Sequence, residues 1–155
     1  MSDLPESIKI REFTAEDKPL VERFFDQMGS ETRAFFDRGR WNYKNALKFF
    51  TGESANTVYF LAEYNGEMIG YLFLWDMHRS VPWLGIAVHD GYKGMGLGGK
   101  LMRFAADYVR ERDKGGILLT THIANMRGQS LYEKSGYERL GVHTSGEFLY
   151  LLRFN

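Results

Sequence analysis

Four glycines within six residues separate a strand-like segment from a helical one, and this junction constrains the fold more than any other stretch. The run "YKGMGLGGKLM" (92–102) follows the apolar segment "WLGIAV" (83–88), and apolar residues then recur at helical spacing as far as Val109. Ordinary strand-to-helix loops are short and need one or two glycines. Glycines let backbone N–H groups turn toward an anion, and the N-terminus of the next helix adds about half a positive charge. The junction therefore predicts an anion site at the end of a strand.

Two nucleotide-binding motifs compete for this loop. Gly94, Gly96 and Gly99 spell G-x-G-x-x-G, which also needs an acidic residue about 20 positions further on. The strand-like segment "ILLTTH" found there contains none. The run from Gly94 to Lys100 spells G-x-x-x-x-G-K, but a phosphate loop of that type needs Ser or Thr next for magnesium, and Leu101 stands there. Both nucleotide interpretations, and a plain glycine-rich turn, stay open as weaker alternatives to the one reached below.

The remaining sequence predicts strands and helices in mixed order. Alternation and turn signals predict seven strands, at about residues 8–13, 57–64, 67–75, 83–88, 117–123, 138–144 and 147–154. Asn65-Gly66 between the second and third strands is a strong type I′ hairpin signal. Helical spacing predicts four helical regions. The first follows a Thr14 cap, and the second begins after Ser30, breaks near 37–42 and restarts at Asn42. The third begins at Leu97, and the fourth covers 127–137. The order β-α-α-β-β-β-α-β-α-β-β predicts the α/β class, mixed α+β: one twisted sheet of about seven strands with helices on both faces.

Composition limits the classes of protein to which the chain belongs. With 155 residues, 44% of them apolar, the chain suits one domain covering 1–155. Twenty basic residues balance twenty acidic ones, so no net field favours nucleic acid or an anionic membrane. The lack of cysteine excludes disulfides, a thiolate zinc site and a cysteine nucleophile. No secretory h-region or membrane-length apolar run is present, so we expect a cytoplasmic protein without a membrane partner.

Two spaced motifs point to one family. The glycine loop contains Lys93-x-x-Gly96-x-Gly98, and further on Asn125 precedes a segment that runs from Leu131-Tyr132 to Gly136. Each is weak alone, but together, in this order and between these predicted strands and helices, they resemble the GNAT superfamily of acetyl-CoA-dependent N-acetyltransferases. That family has Gln or Arg where Lys93 stands. The resemblance covers about residues 57–153, which we expect to form the acetyl-CoA-binding core, with acceptor-side helices at about 14–50.

The resemblance implies a site for acetyl-CoA as co-substrate and no metal. The fourth and fifth strands would splay apart, and backbone groups near Ile86 and Val88 would pair with the pantetheine arm. The residues implied for the pyrophosphate are Lys93, Gly94, Met95, Gly96, Leu97, Gly98 and Gly99. Asn125 would contact the cofactor arm, orient Tyr132 or simply cap its helix.

Tyr132 matches the family's catalytic acid, which protonates the leaving sulfur and also lies against the cofactor. An ordinary tyrosine pKa of about 10 exceeds a thiol's roughly 8.5, so the phenol is protonated at neutral pH and can donate. The competing interpretation is a tyrosine packed in a helix with its hydroxyl bonded elsewhere.

The general base and the acceptor are less well defined. Many family members carry a glutamate five residues before the asparagine, where this chain has Thr120. Other candidate bases are His122, Asp76, His78 and Glu63, and a water chain is a further alternative, so no base is assigned. The segment "RAFFDRGRWNY" (33–43) is either an aromatic lid over the acceptor or a set of core aromatics.

These observations predict an N-acetyltransferase that moves an acetyl group to a primary amine by direct attack in a ternary complex. The acceptor would be a small molecule or a peptide. A non-catalytic acyl-CoA-binding module is the alternative, and a nucleotide-binding protein is the third. An exposed C-terminal strand is expected to offer an edge for a homodimer.

Overall fold

A seven-stranded mixed sheet forms the centre of the protein, seen in a computed structural model that describes residues 4–36, 43–53 and 55–155. Its strands are β1 (Lys9–Glu12), β2 (Val58–Tyr64), β3 (Glu67–Trp75), β4 (Trp83–Val88), β5 (Gly116–Thr121), β6 (Glu138–Val142) and β7 (Phe148–Arg153). Their order across the sheet is β1-β2-β3-β4-β5-β7-β6, and β4 with β5 is the parallel pair. The predicted mixed sheet of seven strands is confirmed.

Five α-helices are described: α1 (Lys18–Asp26), α2 (Ser30–Phe36), α3 (Tyr43–Thr51), α4 (Leu97–Arg110) and α5 (Met126–Lys134). Two helical regions were predicted between β1 and β2, and three helices are found there, so the predicted element order lacks one helix. The predicted break near 37–42 lies outside the described residues. Among the described helices, none combines the length and the apolar character needed to cross a bilayer.

Helices cover both faces of the sheet, as predicted, because side chains of β2 and β3 alternate between two cores. Tyr59 and Leu61 of β2 pack in the core that α1 and α3 complete. Phe60 and Ala62 point the other way, into the core that contains the apolar face of α4 and Tyr132 of α5.

The turn between β2 and β3 has the geometry that its sequence predicts. Asn65 and Gly66 have φ values of 51° and 75°, the pair of left-handed residues that a type I′ turn requires. At the first helix, Thr14 donates its backbone N–H to the Asp17 carboxylate at 2.7 Å. Asp17 is itself held by Arg11 at 2.7 Å, which ties the end of β1 to the start of the helical region.

The two parallel strands meet at a single point. The pair Trp83↔Leu118 joins β4 to β5, whereas β4 pairs with β3 along its whole length. Beyond this pair the strands separate toward their carboxyl ends, and the gap positions the site described below.

The C-terminal strand is not an exposed edge, so that prediction is wrong. β7 pairs with β5 on one side and with β6 on the other, because the last hairpin folds back into the sheet. The edge on this side is β6, whose five residues are all exposed.

Candidate active site

A cavity of about 630 Å³ opens where β4 and β5 separate. Its walls come from β4, the glycine loop with the first turn of α4, the end of β5, and α5, and α2 lies across part of it. The predicted residues that line it are Ile86, Val88, Lys93, Gly94, Gly96, Gly98, Gly99, Asn125 and Tyr132. Leu97 instead buries its side chain in the core, so its contribution to a ligand would come from its backbone N–H. Met95 is half-buried in the loop and is not part of the lining.

The edge of β4 that faces this gap carries backbone groups without a strand partner. Backbone N–H and C=O groups of successive residues point alternately to the two sides of a strand. The Pro82 carbonyl accepts from Leu118 of β5, and the His89 N–H donates to Ile69 on the opposite side. By this alternation, Ile86 and Val88 direct their backbone groups toward β5, into the gap. Such a row of N–H and C=O groups is a template for an extended, amide-containing ligand.

The start of α4 offers backbone donors to the same cavity. Gly94 and Gly96 have φ values of 78° and 93°, and Gly96 is the N-cap residue without a side-chain cap. The first N–H groups of a helix have no partner within it, and their dipole favours an anion. A methyl group added at Gly94 or Gly96 would meet nothing within 4 Å, so open space lies in front of both. These residues fit a pyrophosphate.

Gly98 lines the cavity and also lies against the neighbouring helix α5. A Cβ at this position would lie 3.0 Å from Cδ2 of Leu131 on α5. Gly98 therefore lets α4 and α5 approach closely, and Leu131 in turn lines the cavity.

Lys93 is already engaged within the protein. Its ammonium lies 3.0 Å from Oδ1 of Asp90 and donates to the hydroxyl of Thr32. Asp90 also accepts from the backbone N–H of Gly29 at 2.9 Å. Burial alone would raise the pKa of Asp90, but hydrogen bonds from Lys93 and Thr32 outweigh it and hold that pKa below its ordinary value. Two of the three N–H donors of Lys93 are thus engaged by Asp90 and Thr32, which leaves one for a phosphate.

Tyr132 lies on α5 with 7% of its surface exposed. Burial raises the pKa of this phenol, and the negative charge of Glu147 raises it further, while the hydroxyl of Thr121 opposes the shift. The phenol is thus protonated throughout the neutral range, and its proton can be donated. Asn125 accepts the Gly128 N–H at 3.0 Å, which caps α5, and donates to the Thr121 hydroxyl at 3.2 Å. The amide of Asn125 thus caps the helix and also binds the Thr121 hydroxyl that lies beside Tyr132.

The candidate bases do not meet in this cavity. Within the described ranges, His122, Asp76, His78 and Glu63 are absent from its lining, and Thr120 is present. His122 accepts the Ala124 N–H at 3.0 Å, and Glu63 binds Arg11 at 2.8 Å. No group of three or more His, Asp or Glu side chains among the described residues is arranged to hold a metal ion.

Glu147 is a lining residue that the sequence analysis missed. It stands in the turn between β6 and β7, and only the register of these strands, which no local pattern reveals, brings it to the cavity. Phe35 of the predicted aromatic lid lines the cavity, with Phe73 and Trp75 of β3. The lid residues Asp37, Arg38, Arg40 and Trp41 lie outside the described part of the chain.

Comparison with known proteins agrees with this geometry. The family model described as Acetyltransferase (GNAT) family matches residues 14–137. The chain belongs to this family.

Among curated GNAT relatives, one of Bacillus subtilis (strain 168) carries the provisional name ribosomal protein bS18-alanine N-acetyltransferase. It is 30% identical over 90 residues, which is 58% of this chain and 60% of the relative. Streptothricin acetyltransferase of Streptomyces lavendulae is 28% identical over 141 residues, 88% of this chain and 66% of the relative. The chain thus spans about three fifths to two thirds of the length of these relatives.

The fold also matches solved GNAT structures. One is the PaiA N-acetyltransferase of Thermoplasma acidophilum in complex with coenzyme A, with a TM-score of 0.75 and 18% identity. The match covers 96% of this chain and 99% of that one. At this identity the likeness establishes the fold.

Proposed function

We propose that the protein transfers an acetyl group from acetyl-CoA to a primary amine by direct attack within a ternary complex. Family membership and the coenzyme A complex of the Thermoplasma protein support acetyl-CoA as the donor. The names of the two curated relatives, one for a protein alanine and one for an antibiotic, support an amine acceptor, either peptide or small molecule.

One observation carries the proposal: a single cavity joins an unpaired strand edge, an uncapped helix start and a buried phenol. The backbone at Ile86 and Val88 would bind the pantetheine amides, and the N–H groups of Gly96 to Gly99 would bind the pyrophosphate. Tyr132 would then donate its proton to the sulfur as the carbon–sulfur bond breaks. Because burial raises its pKa, the phenol is protonated at neutral pH and has a proton available for the sulfur.

Calorimetric titration with acetyl-CoA, coenzyme A, ATP and NAD in parallel tests the donor site. We expect binding of acetyl-CoA and coenzyme A and no heat from ATP or NAD. Binding of ATP or NAD alone would overturn the proposal, because the glycine loop would then hold a nucleotide phosphate without a pantetheine slot.

Tyr132→Phe tests catalysis, with thiol release measured for spermidine, an aminoglycoside, alanine and a peptide with N-terminal alanine. General acid catalysis contributes about 100-fold or more, so transfer should fall by that factor while coenzyme A affinity changes less than about twofold. Tyr137→Phe is a matched control, since Tyr137 is also buried, lies 6.3 Å from the Tyr132 ring and has a hydroxyl without a hydrogen-bond partner among the described residues. If the wild type binds acetyl-CoA and acetylates no amine, the alternative of a non-catalytic binding module replaces this proposal.

A further inference from the structure

Glu147 reaches the cavity through the register of β5, β6 and β7. Thr120 of β5 pairs with Leu149 of β7, and Thr121 pairs with Phe148. The carbonyl of Glu147 accepts the His143 N–H at 2.7 Å, so the ladder between β6 and β7 continues through this residue. Because side chains alternate along a strand, Glu147 shares the face of Leu149 and therefore that of Thr120. Both Thr120 and Glu147 line the cavity.

The Glu147 carboxylate is half-buried and has no partner within the described part of the chain. Among the described residues it makes no ion pair and accepts no hydrogen bond through its side chain. Lys93, a cation that also lines the cavity, is paired with Asp90 instead. Arg127 and Lys134 of α5 line the same cavity without pairing with it. A carboxylate that faces a cavity and has no internal cation attracts a cationic ligand.

Its charge also acts on the catalytic phenol. The negative charge of Glu147 contributes to the raised pKa of Tyr132, second to burial. A proton taken up by Glu147 removes this contribution, so Tyr132 becomes a stronger acid once the carboxylate has been neutralised. Amine acetylation requires that the acceptor loses a proton before the sulfur gains one, and the coupling between Glu147 and Tyr132 favours this order.

We infer that Glu147 binds the acceptor in its ammonium form and removes a proton from it. At the β5 position where many family members carry a glutamate for this role, the chain has Thr120. This inference rests on the proposed function. It also defines the acceptor class: an alkyl amine that is protonated at neutral pH, rather than a neutral aryl amine.

The acceptor nitrogen loses two protons as it changes from an ammonium ion to an amide. An N–H bond of the ammonium breaks and its proton passes to the carboxylate of Glu147, which leaves a free amine. The amine forms a bond to the acetyl carbon, and the carbon–sulfur bond breaks. Tyr132 gives its proton to the sulfur and takes the second proton from the attacking nitrogen. The products are the amide and the thiol, and Glu147 releases one proton to solvent.

Phe73 and Trp75 line the same cavity as Glu147, and they belong to a row of stacked rings. Phe73 and Trp75 stack at 5.1 Å, and Trp75 stacks on Trp83 at 6.0 Å. His143, from the turn that carries Glu147, contacts Trp83 edge-on at 5.9 Å. Aromatic faces attract cations, so this wall and the carboxylate favour the same charged form of the acceptor.

Glu147→Gln tests the inference, with Glu138→Gln on the exposed strand β6 as the matched control. With the best wild-type acceptor among the four amines, Glu147→Gln should lower kcat/KM about 100-fold, the usual contribution of a positioned base. Coenzyme A affinity should change less than about twofold, and Glu138→Gln should match the wild type in both.

A second variant moves the carboxylate instead of removing it. Thr120→Glu added to Glu147→Gln should restore at least about tenfold of the lost kcat/KM, because position 120 shares the face of Glu147. Unchanged transfer in Glu147→Gln, a parallel loss of coenzyme A binding, or no restoration by Thr120→Glu would each overturn the role of Glu147 and leave the proposed function intact. Wild-type protein that acetylates none of the amines would instead overturn the proposed function, and this inference with it.

Discussion

Gly96→Ala is expected to weaken both the fold and coenzyme A binding through the backbone alone. Gly96 has a φ of 93°, and an added methyl group would meet nothing within 4 Å, so the cost is conformational and not steric. A residue with a Cβ pays roughly 1–2 kcal/mol to hold the left-handed region. At about 2–4 °C per kcal/mol for a domain of this size, the melting temperature should fall by roughly 2–8 °C.

The effect on the ligand follows from the position of Gly96 at the N-cap of α4. Relaxation of the strained residue would turn N–H groups of the first helical turn away from the pyrophosphate. A hydrogen bond to a charged group is worth about 1.5–3 kcal/mol, so the loss of one should raise the Kd of coenzyme A about tenfold or more. Calorimetry measures this Kd, and thermal unfolding with and without coenzyme A provides an independent estimate.

Gly66→Ala is the matched control, because Gly66 has a φ of 75°, open space around it and a place in the β2–β3 turn. It should lower the melting temperature by a similar amount and leave the Kd unchanged. Equal coenzyme A affinity in the two variants would refute the assignment of the loop backbone to the pyrophosphate. An unchanged melting temperature in Gly96→Ala would refute the strain argument.

Three further outcomes are expected. Thr121→Val removes the hydroxyl beside Tyr132 and should lower kcat about tenfold in the thiol-release assay, with coenzyme A affinity unchanged. Gly98→Ala places a Cβ 3.0 Å from the Leu131 side chain, so packing strain of about 1–3 kcal/mol should exceed the gain in helix propensity and lower the melting temperature. The Arg11 hydrogen bonds lower the pKa of Asp17, so its stabilising contribution is present above the unfolded pKa of about 3.9 and is lost as pH falls through the lower folded pKa. The stability difference between wild type and Asp17→Asn, measured by urea unfolding, should therefore shrink below about pH 4, and a difference independent of pH would contradict this.

Local signals in the sequence were sufficient for most of the fold. Asn65-Gly66 determined a turn and with it the pairing of β2 with β3, because few residues other than Asn and Gly adopt left-handed conformations in succession. The glycine loop identified the junction of β4 with α4 for the same reason. The inner position of β7 in the sheet was not predicted. Alternation of apolar and polar residues does not distinguish an inner strand with exposed ends from an edge strand.

The site was predicted only where a motif is contiguous. Tyr132 and Asn125 belong to one short segment, and the structure brings both to the cavity. Glu147 depends on pairing between β5 and β7, whose partner residues are 27 to 37 positions apart in sequence, so no window around it suggests a function. Long-range contacts also decide the environment of Lys93, whose partner Thr32 lies 61 residues earlier.

The contacts of Lys93 with Asp90 and Thr32 determine how the proposed phosphate site must be tested. Since Asp90 neutralises Lys93 at 3.0 Å, the loop presents little net charge, and its attraction for a phosphate comes mainly from the backbone donors of α4. Lys93→Ala would expose the Asp90 carboxylate beside the bound anion and add repulsion to the loss of the ammonium. The same change would leave the Thr32 hydroxyl bound to Asp90 at 2.8 Å, so α2 would keep its link to the loop. Replacing Lys93 and Asp90 together by neutral residues removes the repulsion, and the backbone contribution is then measured without it.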